Sequence, residues 1–255
     1  MLGTVPSPPS AAGSYAGGVP VRDPHLAHRS VTGGLARAAV FGVNDGLVSN
    51  VSLILGFAAS GVDPSIVRLA GDAGAVAGAV SMAAGEWVSI SAQNELILRE
   101  LEVERRELRS DPEGETEELA GIYTAHGMEP ERAQRAAADV MRRPDEALAV
   151  HAREELGVDP QALASPWRAA ALSLLCFLFG AVLPLVPWLL SAEGTAPTVA
   201  SVVIGVVAAA AVGAAIGRSA ERSVARSALR QVVIVLGACA VTYAIGEAIG
   251  INISS

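Results

Sequence analysis

Five apolar stretches recur along the chain, at about 35–60, 66–92, 167–191, 196–217 and 229–253. Each supplies the roughly 20 residues that a helix needs to cross about 30 Å of hydrocarbon. Too little polar sequence remains to cover five such helices in water, so the pattern predicts membrane spans. After the second stretch the pattern changes. NELILRELEVERREL contains no Pro or Gly and continues the second span as one helix, which DPEG then stops. Three shorter helices follow, at about 114–126, 130–142 and 144–156, with HGMEP and RRP as the breaks between them. Residues 1–34 are rich in Gly, Pro, Ser and Ala without a helical or strand period, and read as a disordered tail. They lack the basic start and apolar core of a secretory signal. The predicted organisation is all-α: the tail 1–34, two spans in 35–92, an inserted helical domain 93–166, and three spans in 167–255.

Composition agrees. Of 255 residues 51% are hydrophobic and 17% charged, and the mean hydropathy of +0.44 is high for a water-soluble protein. All 18 basic residues are arginine. Their placement predicts orientation. Arg218, Arg222, Arg226 and Arg230 follow the fourth span, whereas SAEGTAP after the third has none. Arg22, Arg29 and Arg37 precede the first span, many arginines lie in 93–166, and Arg68 alone lies on the opposite side. By the positive-inside rule the N-terminus and residues 93–166 face the cytoplasm and the C-terminus faces out, as in a multi-pass protein of the cell membrane. The net charge of −8 argues against a nucleic-acid partner. Cys176 and Cys239, each within an apolar run, read as packing residues. Gly74 with Gly78, and Gly213 with Gly217, have the spacing that lets membrane helices approach closely.

Within this frame the polar residues of the spans need explanation. A carboxylate at the centre of a membrane helix costs about 2.5–3.5 kcal/mol, so Asp45, beside Asn44 in the first span, requires a partner, a water-filled cavity or a cation. Ser49 and Ser52 share its helix face, as an ion path would need; a protonated Asp that joins helices is the other reading. In the second span Met82, Glu86, Ser89 and Gln93 form a matching stripe, with Asp72 further along on about the same side. A thioether beside carboxylates suits a transition cation better than Mg²⁺. Beyond the span, Glu100, Glu104, Glu107 and Asp111 repeat the spacing as an acidic ridge. Like charges so placed repel, and either bound cations or the nearby Arg99, Arg105, Arg106 and Arg109 could neutralise them. Glu113, Glu115, Glu117 and Glu118 could fold back against the ridge. Glu154 and Glu155, with His151 one turn earlier, could add to it. Oxygen ligands with one imidazole suit Fe²⁺, Mn²⁺ or Zn²⁺ as bound or transported ions. The sequence has no HExxH, CxxC, P-loop or nucleophile–base set, so neither an enzyme nor a catalytic cofactor is expected, and any pumping must draw on an ion gradient.

GVNDGLVSN, AGAVSMAAGEWVSISAQ, the Glu-rich extension, REELGVDP and the span ending LPLVPW together resemble the vacuolar iron transporter family over about residues 35–253. The resemblance implies a five-helix homodimer that exchanges cytosolic Fe²⁺, and often Mn²⁺, for protons along a path between protomers. It also implies a cytoplasmic domain that binds metal through glutamates. Carried over by motif, the path residues are Asp45 and Met82, and the cytoplasmic ligands are Glu104, Glu107, Glu115, Glu118 and Glu155. Plant-type members have an acid where this chain has Gly74, for which Asp72 or Glu86 is the candidate substitute. Their methionine ligands fall on His151 and Ala152. The leading expectation is thus a proton-coupled exporter of Fe²⁺ or Mn²⁺. The alternative is a membrane-anchored metal store or sensor, against which the polar stripes in two spans argue.

Overall fold

The computed structural model describes residues 34–190 and 195–254. Residues 1–33 of the expected tail, and 191–194 of the arginine-free loop, lie outside those residues. The described residues form eight helices and no strand: α1 (Gly34–Ala59), α2 (Pro64–Ser110), α3 (Pro112–Ala125), α4 (Pro130–Met141), α5 (Pro144–Glu154), α6 (Pro166–Leu190), α7 (Ala196–Ser219) and α8 (Val224–Ser254). Proline and acidic caps set where they start. Helices α2 to α6 each open on Pro, whose missing N–H costs nothing in the first turn. Asp63 accepts from the Ser65 amide at 2.8 Å, Asp111 from that of Gly114 at 3.1 Å, and Glu129 from those of Glu131 and Arg132.

Helices α1, α2, α6, α7 and α8 are long and apolar enough to cross a membrane, and the chain is a multi-pass membrane protein. Helix α2 has 47 residues, about 70 Å of helix against about 30 Å of hydrocarbon. Its first half spans and its second half stands clear. Trp87 and Trp167 meet where the spans give way to the helical domain, with ring centroids 5.8 Å apart, at the depth where indole rings favour the membrane interface. About two turns beyond, Asn94 donates to the Ala164 carbonyl at 2.8 Å and ties the chain returning from α5 to α2.

Helix α1 is the hub, in contact with all four other spans. Its approach to α6 is backbone on backbone. A Cβ on Gly46 would overlap the Phe177 carbonyl, one on Gly180 the Val43 carbonyl, and one on Gly42 would lie 2.8 Å from the Cys176 Cβ. Lipid tails are as apolar as side chains, so such close packing, not water exclusion, holds membrane helices together. Gly246 of α8 meets Gly56 of α1 in the same way. Gly74 and Gly78 pack on Leu53 and the Phe177 ring, and Gly213 and Gly217 on the start of α8, so both spacings noted in the sequence mark helix contacts. Leu47, Val51, Ala209, Val235 and Cys239 fill one core layer, and Ile54, Val67, Leu185 and Trp188 another. Both cysteines are free thiols within these contacts.

Helices α3, α4 and α5 pack on one another, α3 and α5 also touch α2, and Leu119, Ala120, Ala133 and Ala137 form the small core between them. Alanines at these positions let α3 and α4 pack closely.

Replacing Gly46 with Ala should drive α1 from α6 and destabilise the protein by about 1–3 kcal/mol, the usual cost of overpacking. Gly237→Ala, where a Cβ would meet nothing within 4 Å, should be neutral or stabilising by up to about 1 kcal/mol. Thermal unfolding of the two variants in detergent compares them directly.

Candidate metal centre

Asp111 is at once the last cap of α2 and the first of α3, so the chain reverses there within one residue. Glu104 lies two turns before the reversal and Glu115 one turn after it, and the antiparallel helices bring the two carboxylates together. Helix α5 then lays His151 and Glu155 against them. It ends where Gly157, at φ 65°, adopts the left-handed conformation that lets the Val158 amide reach back to the Ala152 carbonyl at 3.0 Å.

The His151 Nδ1 stands 2.7 Å from a Glu155 oxygen, 3.1 Å from one of Glu104 and 3.5 Å from one of Glu115. The imidazole is wholly buried, and Glu104 and Glu115 are 6% and 9% exposed. Glu104 Oε1 and His151 Nε2 are shielded atoms without a well-aligned hydrogen bond. No arginine approaches any of the four within ion-pair distance among the described residues. Two of the four arginines that could neutralise the ridge turn elsewhere: Arg105 pairs with Glu102 at 2.6 Å, and Arg106 donates to the Glu102 carbonyl.

Electrostatics follow from this crowding. Burial first, then the charges of Glu155, Glu115, Glu107 and Glu118, push the Glu104 carboxyl from 4.5 up to about 7. Burial also raises Glu115, partly opposed by His151. Such a site wants positive charge, as a proton or as a metal ion. The four donor atoms all lie within 4.8 Å of one another. Ligands around one ion bound at 2.0–2.2 Å are at most about 4.4 Å apart, so closure by a few tenths of an ångström would complete a coordination shell. The unaligned Glu104 oxygen and the acid-rich donor set fit a divalent cation. His151 Nδ1 can either donate to Glu155 or offer a lone pair to the ion, the proton then residing on Nε2.

The remaining sequence candidates are distributed around this centre. Glu107 and Glu118 are exposed on its rim, close enough to raise Glu104. Glu100 is half-buried one turn earlier on α2, and Glu154 turns away to His126 at 3.7 Å. In the membrane, Asp45 and Ser49 lie exposed on α1 and Asp72 exposed on α2, and neither aspartate side chain has a partner among the described residues. Ser52, on the same stripe, is buried at 5% exposure and lines a cavity of about 340 Å³ between α1 and α8. Met82 packs against the Phe177 cluster. Asn44 and Glu86 are half-buried, each with a shielded, unpartnered side-chain oxygen.

Sequence reasoning passed over Asn50. It is 2% exposed, donates to the Ala181 carbonyl at 2.7 Å, and its Oδ1 would lie 3.2 Å from a Cβ on Gly74. The group facing Gly74 is therefore a neutral amide. Asp72 points to the exposed side of α2, and Glu86 lies about three turns, some 18 Å, along its axis. An amide inside GVNDGLVSN was the available signal, since a polar side chain in a packed span must find a partner.

The raised Glu104 carboxyl fixes a sign. Its folded-state value lies above the unfolded one, so the metal-free protein is best served by this group near pH 4.5 and loses that stability as pH rises towards about 7. A divalent cation competes with the proton, so stabilisation by Mn²⁺ should grow over the same interval. Glu104→Gln should flatten the metal-free profile and abolish most of the Mn²⁺ shift, as read by thermal unfolding from pH 5 to 8.

Comparison with known proteins agrees with this architecture. Residues 36–247 match the model of the VIT family. The chain is 38% identical over 161 residues to the vacuolar iron transporter of Acanthamoeba castellanii, an alignment covering 62% of this chain and 58% of that one. It is 29% identical over 180 residues to vacuolar iron transporter 1 of Arabidopsis thaliana, covering 71% and 72%. Against vacuolar iron transporter 1 of Oryza sativa it is 26% identical over 201 residues, covering 75% and 80%. A family match across all five spans and the helical domain places the chain in the VIT family.

Proposed function

We propose that the protein carries Fe²⁺, and Mn²⁺ as a second cargo, out of the cytosol in exchange for protons. The observation that carries this reading is the cluster of Glu104, Glu115, His151 and Glu155, three carboxylates and an imidazole with no arginine within ion-pair distance among the described residues. Its residues face the cytoplasm in the orientation that the arginines favour. Glu107 and Glu118 on the rim draw hydrated cations in, and the buried donors strip water from them.

From there the cargo descends along α2 to the membrane boundary, about 25 Å nearer the bilayer at Trp87. Glu86 provides an oxygen donor near that level and Met82 a sulfur about one turn deeper, while Asn44 and, on the outer face of α1, the Asp45 carboxylate lie further into the membrane beside the middle of α6. An exposed carboxylate on a membrane helix is costly against lipid, which supports a homodimer in which a second copy covers α1 and encloses the path. The carboxylates accept either metal or proton. Protonation on the acidic side therefore lowers metal affinity and releases the ion, and the proton gradient supplies the work. Homologues named as vacuolar iron transporters support iron as cargo and transport over catalysis.

Reconstituted protein should move Fe²⁺ when a pH gradient is imposed and stop when an ionophore dissipates it. Asp45→Ala should reduce that flux to the level of protein-free liposomes and leave Mn²⁺ binding at the Glu104 cluster unchanged. Normal flux in the variant would remove Asp45 from the path. Metal binding by the native chain without any flux would favour a store or sensor.

A further inference from the structure

Helix α2 enters the helical domain and α6 leaves it, so the turn between α7 and α8 lies on the membrane face that carries this domain. At that turn Arg222, Ser223, Arg226, Ser227 and Arg230 line a cavity of about 280 Å³. None of these arginines has a carboxylate within ion-pair distance among the described residues, and Glu221 in the same turn pairs with none of them. In the helical domain Arg105, Arg135, Arg142, Arg143 and Arg153 have acidic partners, whereas Arg99, Arg106, Arg109 and Arg132 have none among the described residues; what sets the α7–α8 turn apart is three unpaired arginines around one cavity. Three guanidinium groups at one-turn intervals repel one another, and the start of α8 adds its own positive potential. The Ser223 Oγ accepts from the Arg226 amide at 3.4 Å and keeps its proton for another acceptor.

Directly below this cluster the surface becomes apolar. Leu229 and Val233 are 63% and 59% exposed, and Val233 lies about two turns beyond Arg226 on the same helix face. An occupant that matches both halves is anionic at its head and apolar in its tail. We propose that this corner binds the phosphate headgroup of an anionic phospholipid, with Arg222, Arg226, Arg230 and the two serines on the phosphate and the acyl chains along Leu229 and Val233. A free phosphate would use the arginines and leave the apolar half idle. The lipid anchors the α7–α8 corner at a fixed depth, and α8 in turn packs on the central α1. This site stands apart from the metal path and does not rest on it.

The full chain in mild detergent, titrated with phosphatidylglycerol or phosphatidylcholine and read by native mass spectrometry, tests the proposal. In the triple variant Arg222→Gln, Arg226→Gln, Arg230→Gln, phosphatidylglycerol affinity should fall on the order of 100-fold, the summed attraction of three arginines near an anionic surface. Phosphatidylcholine retention should not change, and a cooperative thermal unfolding transition like that of the native chain should show that the variant is folded. Arg142→Gln with Arg143→Gln, which removes two paired arginines, should leave both lipids unaffected. If the triple variant does not fold, Arg226→Gln alone should weaken phosphatidylglycerol about fivefold. Unchanged phosphatidylglycerol affinity in the arginine variants overturns the site. Arginine-dependent binding of inorganic phosphate as tight as that of the lipid overturns the lipid assignment.

Discussion

The continuity of α2 is the constraint on which the other features depend. No proline interrupts its 47 residues after the first, and its glycines lie in the membrane-spanning half, so the segment beyond Trp87 is a rigid extension of a span. A buried carboxylate at Glu104 is thereby held about 25 Å from the membrane boundary, without a hinge between the two. The reversal at Asp111 and the docking of α5 only have to bring partners to a position already fixed. Trp87 against Trp167, and Asn94 on the Ala164 carbonyl, close the frame at its base. The domain is therefore braced to the membrane on both its entering and its returning chain.

That rigidity carries an electrostatic cost. Three carboxylates converge on one imidazole edge within a few ångströms, and Glu104 answers by holding a proton near neutrality. Burial and like charge act in the same direction, and among the described residues no arginine relieves them. An arrangement so short of positive charge is suited to holding either a proton or a cation. Its small alanine core offers little stabilisation to spare, so the charge state of the cluster weighs on the whole α3–α5 unit.

Much of this was legible in the sequence. The five spans follow from apolar runs of the right length, and the starts of α3, α4 and α5 from Pro112, Pro130 and Pro144, because a proline fits the first helical turn and little else in a helix. The i, i+4, i+7 spacing marked Glu100, Glu104, Glu107 and Asp111 alike as a ridge, and DPEG let the acids from Glu113 to Glu118 fold back on it; only the family resemblance singled out Glu104 and Glu115, together with Glu107, Glu118 and Glu155. Periodicity could not distinguish the buried members of the ridge from the exposed ones. Glu104 is enclosed and Glu107 is open because α5 covers one and not the other, and that is set by tertiary packing. Helix spacing likewise marked Gly74 and Gly78, and Gly42 and Gly46 of α1 stand at the same four-residue spacing although the reading passed over them. Their partner, Gly180 of α6, lies on another helix, and only the fold brings it to them. The fate of Arg105 was equally hidden, since Glu102 competes for it one turn away on an exposed face.

Helix α1 shows most clearly what burial adds to a polar residue in a span. Asn50 and Asp45 lie five residues apart in one motif, yet the close packing on α6 separates their fates. On the inner side, Asn50 donates to the Ala181 carbonyl and turns its oxygen to Gly74, where a Cβ would come within 3.2 Å of it. A neutral amide there satisfies the hydrogen-bonding needs of a packed interior without a charge to neutralise. On the outer side, Asp45 and Ser49 are exposed at a depth where lipid offers no hydrogen bond. Burying α1 deeper among the other spans would not help, because its inner face is already filled by backbone contacts at Gly42 and Gly46. Relief for Asp45 has to come from beyond the five helices of one chain, from water, an ion or a second copy. The same glycines that make α1 the hub thus turn its carboxylate outward, so the packing of the monomer itself sets the requirement that a path at this face must meet.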